Sequence, residues 1–117
     1  MPQDRPEDIE FGPFWKHHRE LDNMLSSAFM FLPEHLRLPR NIRDPIAIQS
    51  NLNLHAAVIL LHNAACEKAD RFKLPSSIKQ TSRTRALTAA QEIVDIIKLT
   101  SHMKAGYVSS PLVSVPG

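Results

Sequence analysis

His62 and Cys66 stand four residues apart in a segment of helical pattern, so a helix places an imidazole and a thiol on one face. Two such groups make half of a zinc site. A closed structural site usually takes four ligands drawn from Cys and His in recognisable pairs, and no second pair stands at a matching spacing. The plainer reading is a packed thiol beside a hydrogen-bonded histidine. His17 and His18, with Glu20 and Asp22, suggest an acid–base or metal cluster at first sight. Adjacent residues on a helix point about 100° apart, so the two histidines do not converge, and a solvated helix face is expected instead.

Nucleophilic chemistry finds no support either. Cys66 would need a positioned base and an oxyanion site, and it lies in no catalytic-cysteine signature. Ser26, Ser27, Ser50, Ser76, Ser77 and Ser82 lie in no Gly-x-Ser-x-Gly elbow. The chain has 3 glycines, too few for a phosphate-cradling loop. Arg37, Arg40 and Arg43 form a basic cluster that could meet phosphate or an acidic partner. Without interleaved aromatics or a recognition helix they read as solvated loop arginines. Arg83 and Arg85 sit where a helix is expected to start and oppose its dipole, which implies a tertiary partner such as a carboxylate. No catalytic, cofactor-binding or metal-ligating residue is therefore assigned, and the chain is read as a non-enzyme.

The bulk properties agree. The 117 residues suffice for one domain, and 14 basic residues face 12 acidic ones, a net charge of +2 that is too small to mark a nucleic-acid surface. A single cysteine allows no disulfide within the chain and fits a reducing compartment. The N-terminus lacks the apolar stretch of a signal peptide. The longest apolar run, Ala56 to Leu61, is far short of the roughly 20 residues that span a bilayer.

These residues must be positioned by helices, because apolar residues recur at intervals of three and four. Residues 1–13 read as a disordered lead-in and 105–117 as an unstructured tail, with a helical domain over 14–104 between them. The first helix is expected from Phe14 to Leu32, with Leu21, Met24, Leu25, Ala28 and Phe29 on one face and Trp15 half-buried. Pro33 stops it. Asp44-Pro45 is the clearest start signal, a capping carboxylate followed by a proline that needs no amide bond there. The second helix runs from it to about Phe72, with an interruption expected near Asn51-Leu52-Asn53. Residues 76–82 read as a polar linker. The third helix is expected from Ser82 to Met103, with Leu87, Ala90, Ile93, Val94, Ile97 and Thr100 on its apolar face, Ile96 and Met103 widening it, and Gly106 just past its end.

The centre of the second helix carries the strongest physical signal. Residues 56–61 are six consecutive apolar positions, which on a helix point in every direction. Such a helix needs neighbours all round, and two partner helices leave part of it bare. The fold class expected is thus all-α, about three main helices forming part of a larger helical domain. Leu21, Leu25, Phe29, Leu60, Leu61, Leu87, Val94 and Ile97 are its expected structural residues.

Four stretches, 14–23 (FWKHHRELDN), 29–39 (FMFLPEHLRLP), 53–65 (NLHAAVILLHNAA) and 82–90 (SRTRALTAA), together resemble the fungal-specific transcription factor domain, the central regulatory region of fungal zinc-cluster transcription factors. The resemblance covers about residues 14–103. It implies a nuclear regulator of transcription whose partners are the rest of the factor or other regulatory proteins. It also implies DNA contact and zinc only through an N-terminal cysteine-rich module. With Cys66 as its one cysteine, this chain cannot build that module, so no cofactor is expected here. The family's domain holds more helices than three, so the chain reads as a fragment that stops early. The alternatives are a free-standing helical interaction module that dimerises through the second helix, and a small helical metalloenzyme using His62 and Cys66.

Overall fold

The computed structural model describes residues 12–108 along the backbone and side chains through residue 103. It is all-α: helices α1 (Pro13–Met30), α2 (Pro45–Arg71) and α3 (Ser76–Val108), with a 3₁₀ turn at Glu34–Leu36 and no strand among the described residues. The expected lead-in lies outside the described residues save for its last two positions, and residues 109–117 of the expected tail lie outside them too. No helix among the described residues is long and apolar enough to cross a membrane.

The termini of α2 follow from local chemistry. Asp44, extended and outside the helix, accepts the Ile46 amide at 2.9 Å, and Pro45 fills the first helical position. At the other end, the Leu74 amide donates to the Ala69 carbonyl at 2.9 Å and the Lys73 amide to Asp70 at 3.3 Å. This is the Schellman pattern, and it holds Lys73 in the left-handed region at φ 52°. Leu74 and Pro75 then turn the chain directly into α3.

The expected interruption at Asn51 does not occur. Asn51 is buried, and its side-chain amide donates to the Leu36 carbonyl at 2.7 Å and to Ala47 at 2.8 Å. A residue that weakens a helix by local competition instead fastens the preceding connection to α2. That connection is further held by Asn41, which donates to the Glu34 and Arg37 carbonyls at 2.8 and 2.9 Å.

Nor is there a polar linker over 76–82. The segment is the first two turns of α3, with Thr81 donating to the Ser77 carbonyl at 2.9 Å. At its far end the helix continues through Gly106 to Val108 rather than stopping before the glycine, so its backbone enters the expected tail.

The three helices run up, down and up. Phe14, Asp22 and Phe29 of α1 meet Lys68, His62 and His55 of α2, and Cys66 and His62 of α2 meet Lys79 and Ser82 of α3. The seam between α2 and α3 is made of small residues. Ala47, Val58, Ala65 and Ala69 of α2 and Ser82, Ala86, Ala89 and Ile96 of α3 are all buried. Small side chains let two helix backbones approach closely, since interaxial distance depends on the side chains at the contact. Trp15 anchors α1; it is buried rather than half-buried, with the Phe14 ring edge-on to it at 4.8 Å.

This register corrects the expected core. Leu21, Leu60, Leu87, Val94 and Ile97 are exposed, and Leu25, Phe29 and Leu61 are only half-buried. On α3 the seam follows 82, 86, 89 and 96. The face through 87, 94 and 97 lies about 100° round the helix from it, so it cannot also face α2. No large side chain is fully buried among the described residues. The bare perimeter expected of α2 is present, with Leu60 72% exposed.

Candidate functional site

Two features stand out: a buried polar tie where all three helices meet, and an apolar groove beside it. The tie centres on His62. Its Nε2 lies 3.1 Å from Asp22 Oδ1 on α1, and its Nδ1 lies 3.2 Å from Ser82 Oγ on α3. An ionised carboxylate only accepts, so Nε2 carries the proton, and in the neutral ring Nδ1 accepts from the Ser82 hydroxyl. Arg85 of α3 donates to the same Asp22 oxygen at 3.3 Å. The carboxylate partner expected for an arginine at this end of α3 is thus Asp22.

The trio Ser82–His62–Asp22 has the residue types of a hydrolytic triad, but its setting is that of an internal strut. Ser82 and His62 are 4% and 3% exposed, which closes both to substrate. Ser82 lies inside a continuous helix, where backbone amides are committed to the helix and none is left to stabilise an oxyanion. What the arrangement does is fix register. Each helix contributes a polar group that only one relative placement satisfies, and a buried group left unpaired costs about 1–3 kcal/mol.

Around the tie, His18 sets its ring edge-on to His62 at 5.0 Å and 5.6 Å from Trp15. Its Nδ1 is buried and has no hydrogen-bond partner in the protein. Burial first, and the His62 ring second, hold the His18 pKa below its usual value, against an upward pull from Asp22. The expectation of a solvated face for His17, His18, Glu20 and Asp22 is therefore half right. His17 and Glu20 are exposed, while His18 and Asp22 face inward. The missed signal was their spacing: Trp15, His18, Asp22, Leu25 and Phe29 recur at three and four, a single inward face with two polar members.

The remaining candidates disperse. Cys66 shares a face with His62, but its thiol donates to the Lys79 carbonyl at 3.6 Å while both His62 nitrogens meet Asp22 and Ser82. Among the described residues no group of three or more His, Cys, Asp or Glu side chains is placed to hold a metal ion. Arg37 and Arg40 are tied to Glu34, the latter at 2.9 Å, and Arg37 also donates to the Met30 carbonyl at 3.0 Å. Arg43 and Arg83 are exposed.

The groove is a different kind of surface. Leu21, Met24, Leu25 and Ala28 of α1 face Ala57, Leu60 and Leu61 of α2 across an open space of about 540 Å³. Its walls are almost wholly apolar, and Leu21, Met24 and Leu60 stand open to solvent. On α3, Leu87, Val94 and Ile97 make a second exposed apolar strip. Both surfaces carry large apolar residues at helical spacing that stay exposed in this three-helix arrangement.

Comparison with known proteins gives one relationship. The depudecin biosynthesis cluster-specific transcription activator of Fusarium langsethiae is 30% identical to this chain over 86 residues. The matched stretch covers 74% of this chain and 14% of that protein, so the chain spans a small part of the relative's length. The likeness supports a relationship to transcription regulators. No family model matches the chain. No solved structure matches it.

Proposed function

We propose that this chain is a helical piece of the regulatory region of a nuclear fungal transcription activator. It acts through contacts rather than chemistry: its groove and α3 strip receive further helices of the same polypeptide or of other regulatory proteins. DNA binding and zinc belong to a separate module of such a factor. The observation that carries this reading is the inverted distribution of apolar residues. Alanines fill the buried seam, while Leu21, Met24, Leu60, Leu87 and Ile97 are exposed. The similarity to a fungal transcription activator supplies the regulatory context.

The test fuses the chain to a heterologous DNA-binding domain and measures reporter output in a fungal host. The wild-type fusion is expected to change expression. L21D and L60D are expected to abolish that change while leaving the far-UV circular dichroism of the isolated chain intact. A reporter indifferent to the wild-type fusion, or to both substitutions, overturns the reading. The rival reading, a free-standing module that dimerises through α2, predicts a concentration-dependent mass in sedimentation that L60D reduces to the monomer.

A further inference from the structure

Helix α1 is held differently from the other two. The α2–α3 seam is mostly aliphatic, whereas the contact between α1 and α2 has histidines along it. His18 of α1 packs on His62, and seven residues N-terminal to His62 on α2, two turns away, His55 lies 4.8 Å from the Phe29 ring of α1. Each is a titratable ring in a place that disfavours a cation. His18 is enclosed by Phe14, Trp15 and His62 with its Nδ1 unpartnered. The nearest anion, Asp22, already receives His62 and Arg85 on one oxygen.

We propose that α1 docks on the α2–α3 hairpin through an acid-labile joint, with His18 and His55 as the proton-accepting groups along it. Neutral rings pack there as flat, largely apolar plates. A protonated His18 stands against His62 of α2, Arg85 of α3 and Arg19 of its own helix, with Asp22 alone to offset them. His55 is half-buried against the Phe29 ring of α1, and that burial disfavours its charged form, while Glu92 of α3 draws the proton on. Release of α1 relieves both at once and dismantles the groove that α1 and α2 share, while the hairpin keeps its own seam. The joint thereby couples the apolar groove to pH, independently of what the groove binds.

Trp15, the chain's one tryptophan, reports the docking directly, being 6% exposed and 5.6 Å from His18. The experiment follows acrylamide quenching of Trp15 and ellipticity at 222 nm on the full chain between about pH 7.5 and 5, a window around the ordinary histidine value. Quenching is expected to rise toward that of the urea-unfolded chain, with a midpoint below about 6.5, while most ellipticity persists. Quenching that stays flat, or that rises only together with loss of helix, overturns the proposal. H18Q and H55Q are each expected to shift the midpoint, and H17Q, at an exposed position, to leave it unchanged. Should H18Q not fold, imidazole NMR titration of the wild type decides: His18 and His55 must titrate below the ordinary histidine value of about 6.5, and midpoints at or above it refute the joint.

Discussion

Asp22 and His62 are forty residues apart in sequence, and Oδ1 of the one lies 3.1 Å from Nε2 of the other. The contact joins α1 to α2 and, through Ser82 and Arg85, both of them to α3. Its members differ in exposure, so their removal should be ranked. D22A leaves the buried His62 nitrogen and Arg85 without a partner, and S82A leaves Nδ1 bare. Each is expected to destabilise by about 1–3 kcal/mol. R85A removes a group whose side chain is 45% exposed and should cost less than about 1 kcal/mol. Urea unfolding of the three variants checks the order. An R85A as damaging as D22A would show that the arginine, not the histidine, is the centre of the tie.

The turn after α2 invites a gain. Lys73 sits at φ 52° in a Schellman cap, a position that glycine occupies without steric penalty. K73G should stabilise the chain by about 1 kcal/mol, the left-handed penalty for a side-chain-bearing residue less glycine's extra unfolded-state entropy. The check is the midpoint of thermal or urea unfolding, and a lowered midpoint would refute the cap.

The alanine seam and the exposed leucines make opposite predictions for substitutions of similar size. A65L adds three carbons at a position with no exposed surface and should destabilise by about 1–3 kcal/mol or more. L60S, at a side chain 72% exposed, should change stability by less than about 0.5 kcal/mol. Paired denaturation curves measure both. A large loss in L60S would mean that Leu60 is buried in the molecule as it exists in solution.

Stability should also fall with acid, with a definite sign. His18 and His55 both have pKa values below the usual histidine value of about 6.5, chiefly because burial disfavours the charged ring. Between the unfolded value and the lowered folded ones, the unfolded chain binds more protons. The stabilisation is therefore fully present above about 6.5 and is lost as pH falls through the folded values. The urea midpoint is expected to drop between about pH 7.5 and 5.5, and H18Q should flatten the drop. A midpoint that rises with acid would reverse the assignment.

The sequence by itself determined that there are three helices and where α1 and α2 start, but not where α3 begins and ends. Spacings of three and four, the Asp44-Pro45 start and the prolines that stop α1 and α2 are local signals, read by a backbone that forms hydrogen bonds to its own neighbours. The bare perimeter of α2 was legible too, since six consecutive apolar residues cannot all face two partners. Only the tertiary structure decided which face of each helix turned inward. A search for large apolar residues points to Leu87, Val94 and Ile97. The packing chose Ser82, Ala86 and Ala89 beside Ile96, which the sequence places on the apolar face, because close approach of α2 and α3 rewards small side chains. It also converted His18, Asp22 and Ser82 from surface residues into a buried tie. Their partners lie between twenty and forty-four positions away along the chain, at His62, and no local spacing encodes such a pairing.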